Sequence, residues 1–300
     1  MRDGLAREFP EAGRAIAWTR ARIAPLTESV VLTEPAVWAA ISGIGAGFVV
    51  SNVLQAVVGL VNQALLATGS ELPFALFPIA TISGSAAVAV IALGAGGAAA
   101  LVIALAYIAL GIALRIPGLV TFCERSDGFL NLVSDQCTAL GFLISLWPQL
   151  LGIGVGLALS RTITPRGSGI NSLLRVAGSL AIALTVANQL WAATIAQSTN
   201  ALASGLTIGA GMAAAAVAAG VAAAQLPHGV RNAATVGTLW LLPWLTLQLP
   251  LALRNVGPAV PSDVAGVIAA TIVAPPIAAA FLVLSAAVAS RARFVPREPA

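Results

Sequence analysis

The sequence contains no lysine and only one histidine, His228. Without lysine the chain cannot form a retinal Schiff base, and one histidine cannot supply bis-histidine ligation of haem. The histidine and the two cysteines form no zinc-site or metalloprotease motif, and no Gly-rich phosphate loop ending in Lys-Ser/Thr is present. We therefore expect no metal, no cofactor and no catalytic residues.

Charge is also scarce, because only 9% of the 300 residues are charged while 59% are hydrophobic. Soluble domains contain about 25% charged residues, so this chain cannot cover a water-exposed surface. Its mean hydropathy is +0.96. Several apolar runs reach the roughly 20 residues that a helix needs to cross a hydrocarbon core. The sequence predicts an all-α, polytopic membrane bundle.

Breaks rich in Gly, Pro or charge divide the apolar sequence into eight predicted spans. The break Gly94–Gly97 (GAGG) is required because 73–114 is far too long for one helix. The predicted spans are 36–66, 73–93, 98–115, 136–160, 172–197, 205–226, 232–253 and 263–290.

Residues 1–34 form a charged segment that precedes the first span. Leu5, Phe9 and Ile16 recur at helical spacing, with Arg7 and Arg14 opposite. This pattern predicts an amphipathic helix that lies on anionic lipid or packs on the protein's own loops. The segment lacks an apolar h-region, so we expect no cleavable signal peptide and a first span that acts as a signal-anchor.

Arginine is distributed unequally between the two sides of the predicted topology. Twelve arginines fall on the side of the termini and three on the other, which predicts cytoplasmic termini in a cell (inner or plasma) membrane. The exclusive use of arginine is typical of a GC-rich bacterial genome. The net charge of +4 follows from this topology, so we expect membrane lipids as partners and no nucleic acid. The three arginines on the side away from the termini are Arg115, Arg125 and Arg254.

The stretch 114–137 is the largest predicted extracytoplasmic loop, and it includes both cysteines. That compartment permits disulfides, so we predict a bond between Cys123 and Cys137. The alternative is two free thiols, with Cys137 acting as a small hydrophobe in the fourth span.

The two halves of the chain share short matches in the same order, such as Asn52-Val-Leu-Gln-Ala with Asn188-Gln-Leu-Trp-Ala. They predict a 4+4 parallel repeat, with halves 35–161 and 162–291 followed by a cytoplasmic tail, 292–300. The repeat places an Arg and an Asp at the outer face of each half. We interpret them as helix caps and salt bridges in preference to an outer gate. These residues are Arg115, Asp135, Arg254 and Asp263.

Amides are the main polar groups inside the predicted spans, where no carboxylate lies near the middle. They predict interhelical hydrogen bonds or, alternatively, a polar pathway. Pro148 and Pro276 also recur between the halves and are candidate hinges, with static bends as the alternative. The amides are Asn52, Gln55, Asn62, Gln63, Asn188, Gln189, Gln197 and Asn200.

Small-xxx-small pairs, Gly43–Gly47, Gly152–Gly156 and Gly205–Gly209, predict close helix packing. The duplicated bundle and its amides favour a transporter or the membrane subunit of a permease with a separate ATPase. The alternative is a non-catalytic scaffold or assembly subunit of a larger membrane complex. A lipid-acting enzyme that uses Glu124 or Asp127 is the second alternative.

Overall fold

A computed structural model describes residues 34–68, 77–113, 146–160, 168–195, 201–250 and 262–292. Within these ranges the chain is helical apart from short turns, and it contains no strand. A π-helical segment, Trp244–Gln248, follows α6. The helices are α1 (Glu34–Ala67), α2 (Phe77–Ala113), α3 (Trp147–Leu159), α4 (Ser168–Ile195), α5 (Ala201–Ala223), α6 (Gly229–Pro243) and α7 (Ser262–Ala292).

Four helices are long and apolar enough to cross a membrane, which agrees with the predicted class of all-helical membrane protein. Shorter apolar helical stretches are Trp147–Leu159, which is α3, and Ser172–Ala187, which lies within α4. The count of eight spans and the 4+4 repeat stay predictions. The four candidate spans are Glu34–Ala67, Pro78–Ile112, Gly205–Ala223 and Ile272–Ala292.

Helix α2 doubles back at Gly97, where φ is 64° and ψ is −159°. This conformation is essentially restricted to glycine. Val88 and Ile108, on opposite sides of the break, line one cavity. In a straight helix they would lie about 30 Å apart, so the first arm of α2 (77–96) and its second arm (98–113) run side by side. The predicted break at Gly94–Gly97 is therefore confirmed.

Glycines allow α1 to approach its neighbours closely. Gly43 and Gly47 face Val88 of α2, so the first predicted small-residue pair is confirmed. The tightest approach was not predicted. Gly45 lies against Gly178 of α4, and a Cβ on either residue would fall onto a backbone carbonyl of the other helix.

Two more helix pairs pack through glycine. Gly152 and Gly156 of α3 meet the first arm of α2, as the second small-residue pair predicted, and Gly220 of α5 meets α7. The third predicted pair is looser, because a Cβ on Gly209 would have an ordinary 3.7 Å contact with Ala274. Since the buried residues are mostly alanine, backbones can approach closely across much of the bundle.

Several predicted features lie outside the described residues. They are the amphipathic segment 1–34 except Glu34, the cytoplasmic tail beyond Ala292, the cysteines Cys123 and Cys137, and the outer-face residues Arg115, Asp135 and Arg254. Asp263 lies in the first turn of α7, which begins at Ser262, although its side chain is outside the description. The disulfide and the outer-face pairs therefore stay predictions.

Candidate functional site

A cavity of about 390 Å³ lies between α1, both arms of α2, α3 and α4. Residues 44–55, which form its wall on α1, occupy the middle of that helix, whereas Thr81, Ile112 and Gln149 place the cavity close to the two ends of α2 and the start of α3. Apolar side chains such as Ile44 and Phe48 form part of the wall. The polar side chains that line it are Ser51, Asn52, Gln55, Thr81, Ser85, Tyr107, Gln149 and Thr185.

Tyr107 and Thr185 form a closed polar network on one side of the cavity. The Tyr107 hydroxyl donates to the Ala181 carbonyl at 3.1 Å and lies 2.5 Å from the Thr185 hydroxyl. The Thr185 hydroxyl donates to the same carbonyl at 2.9 Å. The network links the second arm of α2 to α4 and fixes the orientation of the phenol ring.

Two residues of α1 also present polar groups to the cavity. The Asn52 amide nitrogen donates to the Phe48 carbonyl of its own helix at 2.7 Å, which leaves its Oδ1 to other donors. Ser51 donates across to the Ala80 carbonyl of α2 at 3.2 Å. Because these bonds hold the side chains in place, Asn52 Oδ1 is a positioned acceptor.

Gln149 is the polar group of the cavity that most needs a partner. Its Oε1 is buried, and no donor among the described residues reaches it. Such an oxygen costs about 1–3 kcal/mol unless a donor satisfies it. Gln149 follows Pro148 in the first turn of α3, where a proline displaces no helical hydrogen bond. A water or a ligand in the cavity would supply the missing donor.

The structure separates the predicted amides. Asn52 and Gln55 line the cavity, whereas Asn62 is half-buried elsewhere on α1. Gln63 bonds to the second half of the chain, because its Nε2 donates to the Thr246 carbonyl. The other four predicted amides are not fully within the described part of the chain. The side chains of Asn188 and Gln189 lie outside it, and so do the whole residues Gln197 and Asn200.

The carbonyl that Gln63 contacts lies four residues before a proline. In an α-helix the Thr246 carbonyl would accept the N–H of residue 250, but Pro250 has none. Gln63 supplies the missing donor across the helix interface. Gly59, one turn earlier, permits this approach, since its Cβ would lie 2.8 Å from the same carbonyl oxygen.

Sequence reasoning missed Tyr107, Gln149 and Thr185. Tyr107 is the single tyrosine of the chain, and Gln149 is an amide within an apolar run, so each was a visible exception. Neither Tyr107 nor Gln149 has a counterpart in the short sequence matches between the two halves of the chain. Their role depends on which helices are neighbours, and the sequence does not specify that.

The candidate hinges occupy different environments. Pro148 is buried in the first turn of α3, while Pro276 lies inside α7 beside Pro275. The prolines of α7 remove the N–H groups that would bond the carbonyls of Thr271 and Ile272. Neither position demonstrates movement, and the hinges stay predictions.

The end of the bundle that is predicted to be cytoplasmic has polar contacts of its own. The Arg175 guanidinium lies 5.0 Å from the ring centre of Trp38, and Trp38 donates to Glu34 at 3.4 Å. Asn232, which is buried, donates to Ser172 and to the Pro227 carbonyl. These contacts fasten α1 to α4 and α4 to α6, below the level of the cavity.

No protein-family model, no curated protein and no solved structure matches this chain. What the cavity can do therefore follows from its own residues, which offer amide, hydroxyl and apolar groups to a small molecule.

Proposed function

We propose that this chain is a membrane transporter, or the membrane subunit of a permease, and that the cavity is its solute site. The observation that supports the proposal most is a polar cavity between helices from both predicted halves of the chain. Its volume of about 390 Å³ is in the range of small-molecule sites. A polar cavity inside an apolar bundle needs an occupant to satisfy its hydrogen bonds.

The position between halves also supports transport. Solute sites of many transporters lie near the bilayer midplane, where their repeats meet. Here α1 and α4, the first helices of the two predicted halves, cross at Gly45 and Gly178 and both line the cavity. Rocking of one half against the other would open such a site to either side.

The proposal includes eight spans in a 4+4 parallel repeat, with Gly97 separating the second and third. The helix contacts are consistent with it. In the first half α1 packs on α2, and the first arm of α2 packs on α3. In the second half α4 packs on α5, and α5 packs on α7. Both termini would then lie in the cytoplasm, and membrane lipids would surround the bundle.

Solute flux through purified protein in liposomes tests this proposal. Asn52→Leu removes a positioned acceptor from the cavity and should reduce flux at least about tenfold. Asn62→Leu, a matched change outside the cavity wall, should leave flux unchanged. Equal flux in both variants would contradict the assignment of the cavity as the solute site.

Purification in mild detergent tests the alternative. A chain that moves no solute in liposomes but purifies with stoichiometric protein partners would be a scaffold or assembly subunit. If the partner is an ATPase and flux appears when it is added, the chain is the membrane subunit of a permease.

A further inference from the structure

We infer that the cavity takes an uncharged small molecule that donates hydrogen bonds, and that it rejects ions. This inference rests on the proposed function and specifies the class of ligand. It depends on two features of the described cavity wall, which are its lack of formal charge and a buried acceptor oxygen without a donor.

The first feature is electrostatic. Eight polar side chains line the cavity, and among the described residues of the wall none carries a formal charge. An ion inside an apolar bundle pays a large desolvation cost unless an opposite charge or several oriented dipoles compensate it. Here the Tyr107 and Thr185 hydroxyls are already engaged with the Ala181 carbonyl. An uncharged solute avoids that cost.

The second feature is the balance of donors and acceptors. The Phe48 carbonyl accepts one N–H of the Asn52 amide, whose oxygen stays open to a donor. Gln149 Oε1 is buried and accepts no bond from any described residue. Among the described side chains of the wall, Gln149 Oε1 is the one buried atom without a partner, and it is an acceptor. A ligand with an O–H or N–H group satisfies it, whereas a ligand with only acceptors leaves it unpaired.

The apolar wall adds a third requirement. Ile44, Phe48 and Val88 come from α1 and α2, on the same cavity as the acceptors. A molecule with both hydroxyl and hydrocarbon parts matches this mixture. Glycerol-like polyols and the hydroxyl end of a neutral diacylglycerol share that chemistry, and they reach the cavity from water or from lipid respectively.

Cysteine labelling with size-matched reagents tests the inference. Thr81→Cys and Gln55→Cys place a thiol on two separate sides of the cavity, and Gln225→Cys places one on an exposed turn as a control. Each protein, in liposomes, is treated with a neutral, an anionic or a cationic methanethiosulfonate. Mass spectrometry measures the label at the substituted position alone, so the native Cys123 and Cys137 need not be replaced.

Relative to the rates at Gln225→Cys, the neutral reagent should label both cavity positions at least about tenfold faster than either ion. Gln149→Glu in the Thr81→Cys protein should raise labelling by the cation about tenfold relative to labelling by the neutral reagent. Equal rates for all three reagents, or no labelling by any, would overturn the inference.

Competition identifies the source of the ligand. Slower neutral labelling in glycerol indicates a soluble polyol, and slower labelling in vesicles containing dioleoylglycerol indicates a lipid hydroxyl. Slowing by neither would overturn the assignment of a hydrogen-bond donor. Selective labelling by the neutral reagent without solute flux would support the uncharged site and contradict transport. Solute flux with equal labelling by all three reagents would support transport and contradict the uncharged site.

Discussion

The side-chain nitrogen of Gln63 donates to the backbone carbonyl of Thr246, 183 residues later in the chain. Pro250, four residues after Thr246, has no N–H to donate to that carbonyl, and the Gln63 amide supplies a donor from α1. The π-helical segment Trp244–Gln248 lies at the same place, between Pro243 and Pro250. The contact therefore couples α1 to the irregular end of α6.

Removal of this amide should destabilise the protein. Gln63→Leu removes a donor from the Thr246 carbonyl at a helix interface, and we expect a loss of about 1 kcal/mol in the free energy of unfolding. Gln248→Leu, an amide-to-leucine change at an exposed position, should cost less than half of that. Chemical denaturation in detergent micelles measures both.

A double-mutant cycle tests the cause. Pro250→Ala restores an N–H for the Thr246 carbonyl, so Gln63→Leu should be at least twice as costly with Pro250 as with alanine there. If Gln63→Leu costs the same in both backgrounds, the amide does not replace the missing helical donor.

The crossing of α1 and α4 should tolerate no side chain larger than hydrogen. Gly45→Ala would put a methyl group onto the Leu174 carbonyl, and Gly178→Ala would put one onto the Ile41 carbonyl. We expect each variant to lose at least about 2 kcal/mol or fail to fold, because backbone must move. Size-exclusion profiles and thermal unfolding in detergent report the loss.

Gly154→Ala is the matched control, since a Cβ there would meet nothing within 4 Å. It should be neutral or slightly stabilising, because alanine favours the helix by up to about 1 kcal/mol. Similar damage at Gly154 and Gly45 would show that the close crossing is not what matters.

The turn at Gly97 makes a separate prediction. A Cβ at this position would contact nothing within 4 Å, so Gly97→Ala should cost only the backbone strain of its conformation, about 1–3 kcal/mol. Asparagine should not rescue it, because ψ of −159° lies outside the left-handed helical region that asparagine tolerates. Gly94→Ala, at an exposed helical position, should be harmless. Thermal unfolding of the three variants distinguishes strain from crowding.

The sequence predicted where the helices begin and end better than which helices pack against each other. Runs of apolar residues located α1 and α7 within two residues at each end, and GAGG located the turn because glycine alone adopts its backbone conformation. Gly45 was overlooked, although it lies between two glycines that were identified. Its partner Gly178 is 133 residues away, and no local pattern records that distance.

The candidate site was predicted only in part for the same reason. Asn52 and Gln55 were expected from their shared helix face, and they do line one cavity. Gln63 shares that face but faces another neighbour, since α1 passes from α2 to the π-helical segment along its length. The prediction treated one face as one environment, whereas a helix as long as α1 has several.

Topology mapping tests the central claim, an even number of membrane crossings with both termini in the cytoplasm. Single cysteines at position 2, at Ala95, at Gln225 and at position 298, with the native cysteines replaced by serine, are treated in intact cells with an impermeant thiol reagent. We predict that all four stay unlabelled until the membrane is opened, while a cysteine in place of Asp127 is labelled at once. Labelling of one terminus but not the other in intact cells would contradict the account.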